Sequence, residues 1–228
     1  MIRSVTAGGR RLEYVLVQSV RKSIVAKALP GGEFRVYAPM GMRLRDIDDF
    51  VRKHADQLFE MRDRVDAAAE ARAPKDGMPI RVEGTFRTLR LMEGTFSYTL
   101  TADTFTVHVP AGTDEREAVR HALVELSLKR FEERLKYYSA KMNARYGRVT
   151  IREQRTRWGS CSSKNNLNFN WKLIMAPPEA LDYVVIHELC HLTEFNHSPR
   201  FWSLVEAQMP EYKYWKKWLD THGKELGV

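Results

Sequence analysis

Asp182-Tyr183-Val184-Val185-Ile186-His187-Glu188-Leu189-Cys190-His191 leads into Leu192-Thr193-Glu194-Phe195-Asn196-His197-Ser198-Pro199, and this stretch decides how the chain is read. Pro177-Pro178-Glu179, just before it, is helix-start chemistry, so a helix is predicted from there to about Phe195. His187 and His191 are one turn apart, and their side chains leave the same face. Val185, Leu189 and Leu192 fall on the opposite face, which predicts a helix with one side in a core. Two imidazoles at that spacing can share one zinc ion at ~2.0–2.1 Å each. Glu188 lies beside the histidine stripe, where a general base for a zinc-bound water stands.

Catalytic zinc takes a third protein ligand and leaves the fourth position for water. His197 is the candidate. It cannot simply continue the helix, because at ten residues from His187 it lies about 80° off the stripe. Asn196-His197-Ser198-Pro199 supplies the break: a turn-prone Asn, a Ser suited to capping, and a Pro suited to a new first turn. The spacing His-Glu-x-x-His-x5-His equals that of metzincins, but Glu194 stands where those enzymes place Gly. Glu194 can orient a ligand imidazole through its carboxylate, or it can be the third ligand with His197 structural. The first is expected, since a Glu one turn after His191 leaves a cramped geometry. Cys190 is off the metal face and reads as a small core residue, although cysteine binds zinc well. The bland alternative for the whole stretch is a buried helix with satisfied core histidines.

Outward from this stretch, Asn166 to Met175 alternates cleanly and reads as a half-buried strand. Arg148 to Glu153 is a short strand candidate. Asp114 can cap a long helix to about Arg145, with Val119, Leu123, Leu126, Phe131, Leu135 and Met142 on its inner side and Gly147 ending it. Strands are predicted between Ile80 and Val109, and over Leu12–Val17, Val20–Leu29 and Glu33–Ala38, with a turn at Pro30-Gly31-Gly32. Leu44 to about Ala71 reads as one helix, and Pro74 to Pro79 as a linker or turn. No internal repeat is evident. The expectation is a single domain over 1–228: a β-rich N-terminal lobe with one helix (about 1–112), then a helical catalytic lobe (about 113–228).

The 228 residues are 43% hydrophobic and 29% charged, an ordinary globular composition that can bury a real core. Two cysteines are too few for a disulfide framework and suit a reducing compartment, so a cytoplasmic location is expected. The N-terminus carries no secretory pattern, and no apolar run approaches the ~18 residues of a membrane span, so no membrane association is expected. The net charge of +8 permits nucleic-acid or phosphate contacts, but the basic residues are dispersed among acids. Clusters at Lys129-Arg130, Arg134–Lys136, Arg145–Arg148 and Lys213–Lys217, with Tyr137, Tyr138, Tyr212, Tyr214 and Trp215 between them, read more readily as amphipathic helices than as a nucleic-acid surface.

Arg157-Trp158-Gly159-Ser160-Cys161, then Asn168-x-Asn170-Trp171-x-Leu173-Ile174, then the His187 stretch, Asn196-His197-Ser198 and Phe201-Trp202 together resemble the YgjP-like family of metal-dependent hydrolases, which is similar to SprT-type zincins. The match is dense from about residue 155 to Trp218 and looser toward the N-terminus. The resemblance implies an α+β, zincin-like fold with a short β-sheet next to the active helix. It implies zinc on His187, His191 and His197, with Glu188 catalytic. It also implies that Arg157, Trp158 and the strand after them lie beside that helix, where an extended peptide can pair. The alternative for Arg157 and Trp158 is a structural clamp, with the Arg packed over a buried Trp.

The reading is a zinc-dependent hydrolase, a metallopeptidase acting on a peptide or protein. Manganese, cobalt and nickel also suit these ligands. One rival is a metal-dependent nucleoside triphosphate pyrophosphohydrolase, although no Gly-x4-Gly-Lys loop is present. Others are a nucleic-acid-associated protease of SprT type and a purely structural zinc site. Arg157, Tyr183, Tyr212 and His222 are all candidates for the oxyanion donor.

Overall fold

Strict alternation builds the first sheet. Of β1 (Ile2–Ala7) and β2 (Arg10–Ser19), the second buries Leu12, Tyr14 and Leu16 and turns Glu13 to solvent. With β3 (Val25–Ala28) and β4 (Phe34–Pro39) they form a four-stranded sheet in the order β1-β2-β4-β3. This is a computed structural model, and it describes residues 1–29, 31–71, 73–154 and 156–227, the side chain of Ala69 excepted. Pro30 of the predicted turn and Arg155 lie outside the described residues.

The chain divides into two compact units, Met1–Ala73 and Pro74–Val228. In the first, the helix predicted over residues 44–71 is two helices, α1 (Leu44–Lys53) and α2 (Ala55–Ala71). The break is His54, at φ −106° and ψ 15°, whose Nδ1 lies 2.8 Å from the Phe50 carbonyl and competes for it with the main chain. Ile47, Val51, Leu58 and Phe59 pack on the sheet. Across its edge, the Tyr14 hydroxyl and Arg3 both donate to Asp48, at 2.6 Å and 2.5–3.0 Å.

The second unit opens with β5 (Pro79–Val82), β6 (Thr85–Glu93), β7 (Ser97–Leu100) and β8 (Thr104–Val109), in the order β5-β6-β8-β7. Their inner faces share one core with α3 (Glu115–Lys141), so the division between units falls at residue 73 and not near 112. Asp114 caps α3 as predicted, accepting from the Arg116 and Glu117 amides at 2.8 and 3.2 Å. The helix stops at Lys141, before Arg145, and Asn143 at φ 48° supplies the left-handed residue expected of Gly147.

The two sheets share one construction, a repeat that the sequence does not display. Each has an antiparallel hairpin, a parallel central pair, and a second antiparallel partner. The central pairs register Tyr14 with Phe34 and Leu89 with Phe105, all buried. A Pro-x-Gly turn then leads into the next helix in both, through Pro39 and Gly41 or Pro110 and Gly112. Alternation and turn geometry are common to the two, while residue identities are not. Leu12, for example, corresponds to the half-buried Arg87.

A third sheet carries β9 (Val149–Arg152), β10 (Gly159–Cys161) and β11 (Leu167–Asn170), in the order β10-β11-β9, so β10 is an edge. The strand predicted to Met175 ends at Asn170, and Trp171–Met175 winds into a 3-10 turn. Asn170 enforces this by accepting from the Lys172 amide at 3.2 Å and donating to the Gln154 carbonyl at 2.9 Å. The helices α4 (Pro178–Cys190), α5 (Pro199–Gln208) and α6 (Tyr212–His222) complete the unit. Arg134 of α3 grips Asp182 of α4 with two hydrogen bonds at 2.6 and 2.7 Å, and the Tyr138 hydroxyl adds a third at 3.1 Å. Among the described residues no helix is long and apolar enough to cross a membrane.

The β5–β6 hairpin turns on Glu83 (φ 51°) and Gly84 (φ 76°), the pattern of a two-residue mirror-image turn. A Cβ on Gly84 would stand 2.8 Å from the Pro177 Cα at the start of α4. Gly84→Ala is therefore expected to destabilise the second unit by about 1–3 kcal/mol, from φ strain and the clash together. Urea midpoints of the two chains check this, and equal midpoints would contradict the close approach.

Candidate metal centre

Helix α4 ends at Cys190, short of the predicted Phe195. Its last turn tightens, with the Leu192 amide donating to Leu189 and the Thr193 and Glu194 amides to Cys190, at 3.0–3.1 Å. The chain then reverses through Asn196, and α5 restarts as the sequence predicts. Ser198 Oγ accepts from the Phe201 amide at 3.3 Å, and Pro199 occupies the first helical position. This reversal carries His197 back over α4. His187 Nε2 lies 3.1 Å from His191 Nε2 and 3.0 Å from His197 Nε2.

The three imidazoles form a group that could hold a metal ion. Their protonation fits that role. His191 Nδ1 lies 3.1 Å from the Glu194 carbonyl and must donate to it, which leaves the His191 Nε2 lone pair bare. Burial, then the neighbouring His191 and His197, hold His187 down to about 3, so its ring stays neutral. Burial also lowers His191. Aromatic rings fix the planes: Phe201 stacks on His191 at 4.5 Å and Trp202 on His197 at 5.6 Å. Tyr183 stands edge-on to His187 at 5.8 Å.

Glu188 is buried beside them, 4% exposed, and its Oε2 has no hydrogen-bond partner among the described residues. Burial pushes its carboxyl up to about 8, and the charge of Arg157 pulls it partway back. Gly159 of the edge strand makes room for it. A Cβ there would stand 2.6 Å from Glu188 Oε1 and 2.7 Å from its Cγ. Sequence reasoning gave Gly159 no role, because nothing local marks a glycine whose missing side chain serves a residue on another element. Lys216 was missed likewise: it lines a cavity of about 240 Å³ together with Arg157, His187 and Glu188.

The remaining candidates sort by position. Glu194 orients His191 through its main-chain carbonyl rather than its carboxylate, which faces Arg200 at 4.0 Å. Cys190 is 1% exposed and lies in the core. Cys161 lines a second cavity, of about 270 Å³, with the three histidines; burial and then Glu188 push its thiol up to about 11. Trp158 packs on Gly223, where a Cβ would meet its ring at 2.5 Å. Arg157 is exposed, and among the described residues no cation–π contact joins it to Trp158, so the packed-over clamp is not formed. Tyr183 and Arg157 reach the cavity beside Glu188. Tyr212 stacks on Trp202 and His222 on Trp218. Of the basic clusters, Arg130 is engaged by Glu83 and Glu133, and Arg134 by Asp182.

A family model described as the YgjP-like metallopeptidase domain matches residues 22–222. The chain belongs to the YgjP-like family. The match spans most of both compact units and contains every residue of the three-histidine group. No curated protein matches the chain. Among solved structures, that of the metallopeptidase zymogen of Pyrococcus abyssi abylysin is 27% identical, covering 43% of this chain and 92% of that one, with a TM-score of 0.33. Membership in this family makes a metal-dependent hydrolase the general class of the YgjP-like domain here.

Titration of the metal-free protein with Co²⁺ is expected to saturate at one ion per chain, with a visible absorption band. His187→Ala, His191→Ala and His197→Ala should each weaken binding by more than the ~10–100-fold that losing an outer hydrogen bond costs. Unchanged affinity in any of the three would remove that residue from the site.

Proposed function

We propose that this YgjP-like domain is a zinc-dependent metallopeptidase, with a zincin-like arrangement of α4 against the edge strand β10. The observation that carries the proposal is the convergence of three Nε2 atoms in a cavity also lined by a buried carboxylate with an unspent oxygen. Three imidazole nitrogens favour zinc over the hard cations that prefer oxygen ligands. His187, His191 and His197 would hold the ion. When bound, it supplies Lewis acidity, which makes water acidic enough to attack near neutral pH and polarises a carbonyl.

The protein's own groups do the rest. Glu188 takes the proton from the attacking water and returns it to the leaving amine. Gly159, by lacking a side chain, leaves room for the carboxylate against the edge strand. The Glu194 carbonyl holds His191 in the tautomer that ligates. Tyr183 stands on the wall of the cavity that Glu188 lines, as the hydroxyl available to a developing oxyanion. Peptide substrate in extended form has a free edge to pair with, since β10 is hydrogen-bonded on one side by β11 and terminates its sheet.

Glu188→Gln should keep one zinc per chain and lose about 10²–10⁴ in turnover of an unfolded protein substrate. Gly159→Ala should also keep the metal and lose turnover, because its Cβ displaces the carboxylate. Metal content by atomic absorption, measured beside peptide-bond cleavage, reads both. A Glu188→Gln chain that cleaves normally would sink the proton-carrier assignment. Pyrophosphate release from nucleoside triphosphates, without any peptide cleavage, would replace the peptidase with the pyrophosphohydrolase.

A further inference from the structure

Three cavities follow one another along residues 153–161. The first holds the histidines and Cys161, the second Glu188 and Lys216, and the third, of about 500 Å³, lies beyond Trp158. Arg157 lines all three. The second and third share Thr156, Arg157, Trp158, Leu219 and Asp220, so a chain occupying one runs on into the other. The main-chain ladder extends the same way, because the Asn170 amide donates to the Trp158 carbonyl at 2.8 Å, one residue before β10 begins.

The lining of the third cavity carries more positive than negative side chains. Lys172 on its wall is neutralised by Glu153 at 2.7 Å. Asp220 is neutralised by Lys216 at 3.1 Å. Arg157 and Lys224 remain, and neither has an ion-pair partner among the described residues. Gln154, on the same wall, keeps a buried Nε2 with no acceptor among the described residues. Trp158, Leu219 and Leu226 give the cavity an apolar floor. A planar guanidinium above apolar carbon matches a carboxylate on a short aliphatic stem.

We propose that this cavity is a substrate subsite for an acidic side chain, glutamate or aspartate, with Arg157 as its specificity-determining residue. The proposal rests on the peptidase reading above and deepens it. At ~3.3 Å per extended residue, Arg157 is two residues along from Gly159, the edge residue against Glu188, so the acidic residue sits two or three positions from the scissile bond.

The test uses zinc-loaded Glu188→Gln protein and fluorescent peptides carrying Glu or Gln at one position, moved one residue at a time. The wild-type cleavage site of the same peptides sets the register. At one position two or three residues from the scissile bond, the Glu peptide should bind about tenfold tighter than the Gln peptide. Adding Arg157→Gln should bring the ratio to about one, and Arg157→Glu should reverse it toward a Lys peptide. Unchanged zinc content in these variants shows that the centre is intact. A flat Glu/Gln profile with normal wild-type cleavage overturns the subsite and leaves the peptidase standing. A Glu preference that survives Arg157→Gln overturns the role of Arg157. If no peptide is bound or cleaved, while a nucleoside triphosphate binds in an Arg157-dependent manner, both readings fall together.

Discussion

The Glu188 carboxylate, kept out of water with one oxygen unspent, is the constraint on which the rest of the second unit depends. With its titration pushed up to about 8 the carboxyl is mostly neutral at pH 7, and leaving its oxygen unpartnered costs about 1–3 kcal/mol, which the surrounding structure must supply. The holding comes from α4, whose residues from Ala180 to Cys190 are buried almost without interruption. Ala180, Leu181, Val184, Val185, Ile186 and Leu189 pack into one core with α3, the 3-10 turn and β11. Burying each of the Leu, Val and Ile side chains among them stabilises the fold by about 1.5–3 kcal/mol, which outweighs one unsatisfied oxygen. The same burial keeps His187 neutral and so available as a ligand.

An apolar helix can slide or rotate in its slot, and the active geometry tolerates neither. The Arg134–Asp182 pair fixes α4 in both respects, since a bidentate guanidinium specifies position and angle together. The Glu83-Gly84 turn presses on Pro177 at the other side of the helix start, with the Glu83 amide donating to the Ile174 carbonyl at 2.7 Å. The second four-stranded sheet thus serves the site through one hairpin tip. Its likeness in construction to the first sheet indicates one supersecondary plan used twice, with metal chemistry built onto the second use.

The sequence carried what depends on local spacing. His187 and His191 on one face, the core face at Val185 and Leu189, the Ser198 cap and the reversal at His197 are all consequences of residues within one or two helical turns. What it did not carry depends on partners far along the chain. Gly159 meets Glu188 across 29 positions of sequence, and Arg134 meets Asp182 across 48. The alternating pattern from Asn166 to Met175 was real, but the Asn170 side chain turned half of it into a 3-10 turn. The single helix over residues 44–71 failed at His54 because a side-chain nitrogen competes there for a helical carbonyl. The contact of Glu194 with His191 runs through the main-chain carbonyl, and nothing in a sequence separates that carbonyl from the carboxylate of the same residue.

The proposed metal is held by three histidine nitrogens and no sulfur, although Cys161 lines the same cavity. X-ray absorption at the zinc edge, on protein purified with its metal, tests it most directly. A three-histidine site gives only nitrogen and oxygen neighbours at ~2.0–2.1 Å and the outer-shell scattering of three imidazoles. A zinc–sulfur distance of ~2.3 Å, or fewer than three imidazoles, would contradict it.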